Sequence, residues 1–205
     1  MSHASDSFVT VNIGRDELLT SAVATFAANP SSSMQDVAEA AGMSRATLHR
    51  RFASRDELVV AIARWALGQL AEITNTIAAE GRSGLSAIER LIEGGATMAP
   101  KLGFLGSEAC LDGEPEVMAR MEAIVSVWHA WIEDGQRSGE IRVDLPARWI
   151  ADAIEGLMMA IFRGVRAGTT PPADALRLVR ITLFDGIRGR NEASFRPSVE
   201  DHREG

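Results

Sequence analysis

The 205-residue sequence contains no tyrosine, a single cysteine (Cys110) and a single lysine (Lys101). One cysteine cannot form a disulfide within the chain, and it excludes a zinc site built on pairs of cysteines. No apolar run approaches the length of a membrane span, and the first residues, MSHASDSFVTVN, lack the basic-then-apolar order of a signal peptide. We therefore expect a cytoplasmic protein that does not enter a membrane, and we predict neither a metal nor a cofactor.

Catalytic motifs are missing as well. The patterns G-x-S-x-G, G-x-G-x-x-G and H-E-x-x-H and the P-loop do not occur. Of the four histidines, His3 and His202 lie in polar stretches near the chain ends. An enzyme is therefore the less favoured class, although the composition, 46% hydrophobic and 24% charged, is that of a folded domain with a substantial core.

Two short helices joined by a tight turn are predicted in the segment SMQDVAEAAGMSRATLHRRF, residues 33–52. Ser33 opens an S-x-x-D capping box at the start of the first helix. Gly42 stands where that helix should end, because glycine enters the left-handed conformation at little cost. Ser44 then caps the second helix, and Leu48 anchors that helix to the interior. The pattern is that of a helix-turn-helix, whose second helix reads DNA.

Positive charge is concentrated at this second helix. From Ser44 to Arg55 the chain has four arginines and no acidic residue, whereas the whole chain has 21 Lys+Arg against 28 Asp+Glu. Taking the four arginines away from the net charge of −7 leaves −11 for the rest of the chain. A basic surface of this kind binds a phosphate backbone, and an acidic remainder discourages indiscriminate binding.

The outward positions of the same segment give the predicted DNA contacts. Base edges in the major groove are assigned to Gln35, Arg45, Thr47 and Arg50, and phosphates to Ser33, Ser44, His49, Arg51 and Arg55. Double-stranded operator DNA is thus the predicted partner. The alternative is a helical adaptor that binds a protein partner through the same basic helix, without recognising a DNA sequence.

The stretch AVATFAANPSSSMQDVAEAAGMSRATLHRRFASRDELVVAIA resembles the DNA-binding domain of TetR-type (TetR/AcrR family) one-component transcriptional regulators. The resemblance includes the aromatic end of the first helix, at Phe26, and the FASRDEL segment that starts at Phe52. One position departs from the family pattern, since His49 stands where the family usually has tyrosine. The resemblance implies a homodimeric repressor that leaves a palindromic operator when a small, largely apolar effector binds.

No strand-like alternation of useful length follows the helix-turn-helix. A long helix is predicted from Ser54 to about Ala79, where it can join the DNA-binding part to the rest. Further helices are predicted at Leu85–Ala99, Leu102–Leu111, Pro115–Arg137, Pro146–Gly168 and Pro172–Ile187. We thus expect an all-α protein with a mobile tail (1–14), a DNA-binding domain (15–63), a helical effector-binding and dimerisation domain (64–190) and a disordered tail (191–205).

The last two predicted helices are apolar around more than half of their circumference, so each needs partners on two sides. One side can face the rest of the chain and the other a second subunit, and the resemblance implies a four-helix dimer interface. The predicted interface residues are Trp149, Ile161, Leu176, Val179, Leu183 and Phe184. The alternative is that both helices are central in a monomer.

A stripe of methionine and tryptophan predicts a cavity for a small-molecule effector, because such side chains adapt to bulky apolar ligands. The predicted lining is Met98, Phe104, Cys110, Met121, Val125, Trp128, Trp131, Met158 and Phe162. Candidate polar contacts are Glu108, His129, Asp152 and Glu155. The alternative is a packed core without a cavity. The choice of a cavity is what the resemblance implies, since these regulators bind effectors between the corresponding helices.

Overall fold

The computed structural model describes residues 13–95, 98–106 and 108–188, and regular structure in these ranges is helical. The helices are α1 (Arg15–Ala28), α2 (Met34–Ala40), α3 (Arg45–Arg51), α4 (Arg55–Ala79), α5 (Gly84–Gly95), α6 (Ala99–Leu105), α7 (Pro115–Ser138), α8 (Ala147–Arg166) and α9 (Pro172–Ile187). The predicted all-α fold is confirmed. Of the two predicted tails, 191–205 lies outside the described residues, and so does 1–14 apart from Ile13, which is buried, and Gly14.

Helices α1, α2 and α3 form a head around a small apolar core that includes Phe26, Val37 and Leu48. The predicted capping box is present at the start of α2. The Asp36 carboxylate accepts a hydrogen bond from the Ser33 backbone N–H at 2.7 Å, and the Ser33 hydroxyl accepts one from the Asp36 N–H at 3.3 Å. Hydrogen bonds from Ser33 to the carboxylate lower the pKa of Asp36.

The turn between α2 and α3 is closed by glycine, as predicted. Gly42 has a φ of 65°, in the left-handed region. Its N–H donates to the Glu39 carbonyl at 3.0 Å, and the Met43 N–H donates to the Ala38 carbonyl at 2.9 Å. These two bonds form a Schellman motif, which satisfies the last carbonyls of α2 and sets the direction in which α3 leaves.

The 25-residue helix α4 runs from the head into the rest of the chain. Its start is capped by the Ser54 hydroxyl, which accepts from the Glu57 N–H at 3.1 Å. Buried residues occur along its whole length, from Leu58 beside the head to Ile77 near its far end. Helix α4 packs against α1 in the head and against α5, α6 and α7 in the body, by which we mean α5 to α9.

Two predicted helices of the body have different bounds in the structure. The helix predicted to reach Ala99 ends at Gly95, and the helix predicted for Leu102–Leu111 is interrupted. Helix α6 begins before Leu102 and ends at Leu105, and a separate 3-10 turn covers Ala109–Leu111. A proline stands in the first turn of α6, where a backbone N–H would have no hydrogen-bond partner within the helix. Proline therefore fits at this position, and a new helix starts here instead of α5 continuing.

Head and body meet where α1 contacts α6. The ring of Phe26 stacks on the ring of Phe104, with centroids 5.0 Å apart and planes inclined by 12°. The Arg55 guanidinium lies over the same Phe26 ring, 4.8 Å from its centroid, and forms an ion pair with Glu108. Helix α6 is therefore fixed to the head on one side. In the described part of the chain, no helix is both long and apolar enough to cross a membrane.

Candidate nucleic-acid interface and apolar cavity

Helix α3 is held to the head by one apolar residue and leaves its polar residues outside. Leu48 is fully buried, and Phe52, directly after the helix, is buried too. Ser44 caps the helix by accepting from the Thr47 N–H at 3.1 Å. Six of the seven helical residues are therefore turned away from the core at least in part. The helix is presented as an exposed ridge, which is the geometry that the sequence predicts for the reading helix.

Hydrogen bonds along α3 orient its predicted base-reading side chains. Arg50 donates to the Thr47 hydroxyl at 3.1 Å, and Arg45 donates to His49 Nε2 at 3.4 Å. Both arginines are exposed, and within the described residues neither has an acidic partner. Their positive charge is thus uncompensated and faces solvent. The assignment of Arg45, Thr47, Arg50 and His49 to base edges and phosphates stays a prediction.

The remaining predicted contacts lie around this ridge. Ser33 and Ser44 are exposed at the starts of α2 and α3, where both hydroxyls already serve as caps. Gln35 donates to the Glu39 carboxylate at 2.6 Å, on the surface of α2. Arg51 is exposed and donates to the backbone carbonyl of Ile13 at 3.2 Å. These residues belong to α2, α3 and the starts of both helices, and their roles on DNA also stay predictions.

Arg55 differs from the expectation of a phosphate contact. Its guanidinium donates two parallel hydrogen bonds to the Glu108 carboxylate, at 2.7 and 2.8 Å, and a third to the Pro30 carbonyl at 3.2 Å. The hydrogen bonds to Glu108 raise the pKa of the Arg55 guanidinium. In this structure Arg55 therefore joins the head to the body, and Glu108 is its partner rather than a wall of the cavity.

An apolar cavity lies between α4 and the body, enclosed by α4, α5, α6, α7 and α8. Its free volume is about 40 Å³. The lining residues described by the structure are Leu70, Leu91, Ile92, Gly95, Leu102, Met121, Trp128, Ile154, Glu155, Met158, Met159 and Phe162. A drug-sized ligand needs roughly 300–1,000 Å³, so the free volume of this cavity is too small for such a ligand unless the lining side chains move. Three methionines line it, and their unbranched side chains can rearrange.

Four of the nine predicted lining residues reach this cavity, namely Met121, Trp128, Met158 and Phe162. The other five lie outside the lining of this small cavity, and their contact with a ligand stays a prediction. Met98, Val125 and Trp131 are buried in the core beside the cavity without lining it. Phe104 points to the head and stacks on Phe26. Cys110 is half-buried at a separate cleft, and burial raises the pKa of its thiol.

Helices α5 and α6 also contribute to the cavity, beyond the predicted lining, because their glycines allow close packing on α8. A methyl group added at Gly103 would lie 2.8 Å from Cβ of Phe162. One added at Gly106 would collide with the end of the Met159 side chain. Backbone of α6 therefore rests directly on two residues that line the cavity. The sequence feature that indicates this close packing is the group of glycines at positions 94, 95, 103 and 106.

Trp128 connects the cavity to α4. Its indole N–H donates to the Thr74 hydroxyl at 3.2 Å, and that hydroxyl donates to the Leu70 carbonyl at 3.0 Å. Both Trp128 and Thr74 are buried. The hydrogen bond fixes the orientation of the indole ring in the cavity wall and ties α7 to the helix that leads to the head.

Of the four candidate polar contacts, Glu155 lines the cavity. His129 lies 3.8 Å from Glu133 on the same helix, and Asp152 accepts a hydrogen bond from Arg148 at 2.8 Å. Burial raises the pKa of Glu155, and the negative charge of Asp152 acts in the same direction. Glu155 is thus a carboxyl group in mainly apolar surroundings.

A second, larger concavity lies between the head and α4. It has a free volume of about 950 Å³ and an even mixture of polar and apolar lining, which includes Arg15, Arg51, Arg64 and Cys110. It is open to solvent, and its charged side chains offer little enclosed apolar surface. Ligand sites are concave and predominantly apolar, so the cavity enclosed by α4 to α8 is the better candidate despite its smaller volume.

The predicted dimer residues fall into two groups. Trp149 is 62% exposed on α8, and Ile161 and Leu176 are half-buried. The other three, Val179, Leu183 and Phe184, are buried inside the protomer and contribute to its own core. The single protomer already covers these three side chains, and their place in an interface stays a prediction. The side of α9 that carries these three residues packs against the body, and the opposite side faces solvent.

The outer surface of α8 and α9 is nevertheless apolar. Besides Trp149, Leu178 and Ile181 are exposed on α9, and Ile181 is 49% exposed. Gly156 and Ala160 are exposed on α8, and no atom of the protomer would crowd a methyl group at Gly156. Exposed small residues beside large apolar ones would allow another helix to approach α8 closely.

Comparison with known proteins agrees with this geometry. The family model described as bacterial regulatory proteins of the tetR family matches residues 18–62, which span α1 to α4. The chain is 31% identical over 178 residues to the HTH-type transcriptional regulator NfxB of Pseudomonas aeruginosa, covering 85% of this chain and 95% of that protein. It is 27% identical over 181 residues to the HTH-type transcriptional repressor LfrR of Mycolicibacterium smegmatis, covering 84% and 89%.

Solved structures share the fold. The ketosteroid transcriptional regulator KstR2 of Mycobacterium tuberculosis superposes with a TM-score of 0.71 at 23% identity, covering 88% of this chain and 97% of that one. LfrR of Mycobacterium smegmatis in complex with proflavine superposes with a TM-score of 0.64 at 23% identity, covering 86% and 98%. Head and body are therefore shared over nearly the full length of these chains.

Proposed function

Because the chain belongs to the TetR family of bacterial regulatory proteins, we propose that it is a homodimeric repressor that a small effector releases from a palindromic operator. Like its relatives, which are transcriptional regulators, the chain is a DNA-binding transcriptional regulator and not an enzyme. The repressor, the dimer and the effector are the parts that we propose.

One observation carries the proposal for operator binding. Helix α3 is exposed, it carries Arg45 and Arg50 without acidic partners in the described residues, and its cap and its Leu48 anchor hold it rigidly on the head. Arginine pairs with two acceptors of guanine in the major groove, which accounts for specificity as well as affinity. Phosphate contacts from Ser44, His49 and Arg51 would set the register of the helix on DNA.

A dimer is needed because a single helix-turn-helix covers too few base pairs for useful affinity. The exposed apolar residues Trp149, Leu178 and Ile181 on α8 and α9 support a second copy as the partner of this face. Val179, Leu183 and Phe184 would then support the interface from beneath. Two α8 and two α9 helices would form a four-helix interface, with the recognition helices about 34–36 Å apart on one face of DNA.

The effector is proposed to enter the cavity between α4 and α8. LfrR, a relative of this chain, is known in complex with proflavine. A ligand larger than about 40 Å³ must displace part of the lining, which includes Met159 and Phe162, and α6 rests on these two residues. Because Phe104 of α6 stacks on Phe26 of the head, a shift of α6 changes the position of the head. A coupling of about 1–3 kcal/mol would weaken operator binding by about 5- to 150-fold.

Selection of bound fragments from random DNA, followed by sequencing, tests the proposal. We expect a palindromic motif whose half-sites are one helical turn apart, or a multiple of one turn. Arg45→Ala and Arg50→Ala should lose enrichment of that motif while the protein keeps its helical content. Equal binding to scrambled DNA, or no binding to DNA at all, would favour the helical adaptor instead.

A further inference from the structure

Among the described residues that line the proposed effector cavity, Glu155 is the one with a charged side chain. Around Glu155 the cavity residues of α4, α5 and α6 are Leu70, Leu91, Ile92, Gly95 and Leu102, which have no polar side-chain atoms. Helix α7 contributes Met121 and Trp128, and α8 contributes aliphatic, methionine and phenylalanine side chains. The half-buried carboxylate of Glu155 has lost part of its water without gaining a partner among the described residues, which is unfavourable unless a ligand or a proton compensates the charge.

The two neighbouring acids, Glu122 and Asp152, share one arginine, whereas no described residue pairs with Glu155. Arg148 binds the Glu122 carboxylate at 2.7 and 3.2 Å and the Asp152 carboxylate at 2.8 Å. In the described ranges, neither a side-chain hydrogen bond nor an ion pair engages Glu155. Two acids beside one arginine leave a surplus of negative charge here, and Glu155 adds a further negative charge. The potential at this end of the cavity therefore attracts a cation.

We propose that Glu155 is the counter-ion of the effector, and that the cavity selects flat, largely apolar organic cations over neutral or anionic molecules of the same size. The inference rests on the proposed function, since it assigns a chemical class to the ligand of that same cavity. Trp128 and Phe162 supply faces on which an aromatic cation can stack, and such contacts strengthen when water is excluded. The methionine side chains adapt to the outline of the rings.

Protonation of Glu155 competes with a bound cation. Below the raised pKa of Glu155 the carboxyl group is neutral, so the affinity for a cation should fall as the pH falls through that pKa. The other groups that act on Glu155 are Asp152, Arg148 and Glu122. His129 on α7 is engaged with Glu133 and does not line the cavity.

Two three-ring probes of similar size test the proposal. Proflavine is a planar cation near neutral pH, whereas acridine is uncharged there. Calorimetric titration of the full chain without DNA should show tighter binding of proflavine, and Glu155→Gln should weaken proflavine about tenfold or more while acridine changes by less than about threefold. The matched control Glu133→Gln, which alters an exposed acid on the outside of α7, should leave both affinities unchanged.

A stability measurement separates binding from folding. The ionised carboxylate is disfavoured in the folded protein, so Glu155→Gln should unfold at the same or a higher temperature than the original chain at neutral pH. The affinity for proflavine should depend on pH in the original chain, and the variant should lose this dependence. If Glu155→Gln lowers the affinities for both probes equally, or lowers neither affinity, Glu155 is not the counter-ion of the ligand.

The outcome for the proposed function is read separately. If acridine releases the protein from the selected operator and proflavine does not, the proposal of an effector-released repressor is supported and the proposal for Glu155 is contradicted. If the chain binds proflavine through Glu155 but selects no operator, the counter-ion stands and the repressor fails.

Discussion

The ion pair between Arg55 and Glu108 should contribute measurably to the joint between head and body. Glu108→Gln keeps the size of the side chain but replaces one carboxylate oxygen by an NH₂ group. One of the two hydrogen bonds from Arg55, now 2.7 and 2.8 Å long, would then become a contact between two donors. Arg55 also lies over the Phe26 ring, so its position affects the stacked pair of Phe26 and Phe104.

The magnitude follows from the burial of the pair. Breaking a fully buried ion pair costs about 3–5 kcal/mol, and an exposed pair contributes about 0–1 kcal/mol. The Glu108 side chain is 10% exposed and that of Arg55 is 31% exposed, so the pair lies between these limits. We expect Glu108→Gln to lower the free energy of unfolding by about 1–3 kcal/mol. For a chain of this size each kcal/mol lowers the melting temperature by about 2–4 °C.

Thermal unfolding measured by circular dichroism checks this expectation against a matched surface pair. Glu116 pairs with Arg64 at 2.8 Å, but both side chains are well exposed, so Glu116→Gln should cost less than about 1 kcal/mol. Equal melting temperatures of the two variants would refute the reasoning. The salt dependence of operator binding gives a second readout. The slope of log K for operator binding against log salt concentration should stay unchanged in Glu108→Gln if Arg55 joins head and body and does not contact DNA. If the freed Arg55 binds a phosphate instead, this slope should become steeper by about 0.9.

Two further predictions concern the candidate surfaces. Arg50→Ala should cost about 1–3 kcal/mol at the preferred operator and relax specificity, whereas Arg51→Ala should weaken binding to all sequences alike; identical sequence profiles in binding-site selection would contradict these roles. Ile181→Glu should split the dimer while each protomer stays folded, because Ile181 is exposed, whereas Leu183→Glu should unfold the protomer because Leu183 is buried. Sedimentation and circular dichroism distinguish the two results, and an unchanged dimer in Ile181→Glu would place the interface elsewhere.

The head could be predicted almost completely from the sequence because local rules determine it. Ser33 and Ser44 cap helices through bonds to residues three positions away, and Gly42 closes its turn within the same short segment. No distant residue changes these contacts. The reading helix and its exposed face therefore follow from the order of residues 33–52 alone.

The cavity and the interface could be predicted only in part, because periodicity shows that a residue is buried but not what it packs against. Phe104 and Cys110 fall in one predicted helix, Leu102–Leu111, but α6 ends at Leu105, Phe104 stacks on the head and Cys110 lies in a separate 3-10 turn. In α9 two faces are apolar, and the pattern does not tell which of them the body covers. Arg55 shows the same limit, since its partner Glu108 is 53 residues away in sequence.

The hydrogen bond between Trp128 and Thr74 gives a last prediction, about the wall between the cavity and α4. Thr74→Val keeps the shape of the side chain but removes the acceptor of the buried indole N–H, which should lower the free energy of unfolding by about 1–3 kcal/mol. Thr76→Val on the same helix is the matched control. Its hydroxyl makes an equivalent bond to the Glu72 carbonyl at 2.8 Å, but the side chain is exposed and water replaces the lost bond. Urea unfolding followed by tryptophan fluorescence measures both variants. Equal stabilities would mean that the indole N–H finds another acceptor, and that Trp128 does not tie the cavity to the helix that carries the head.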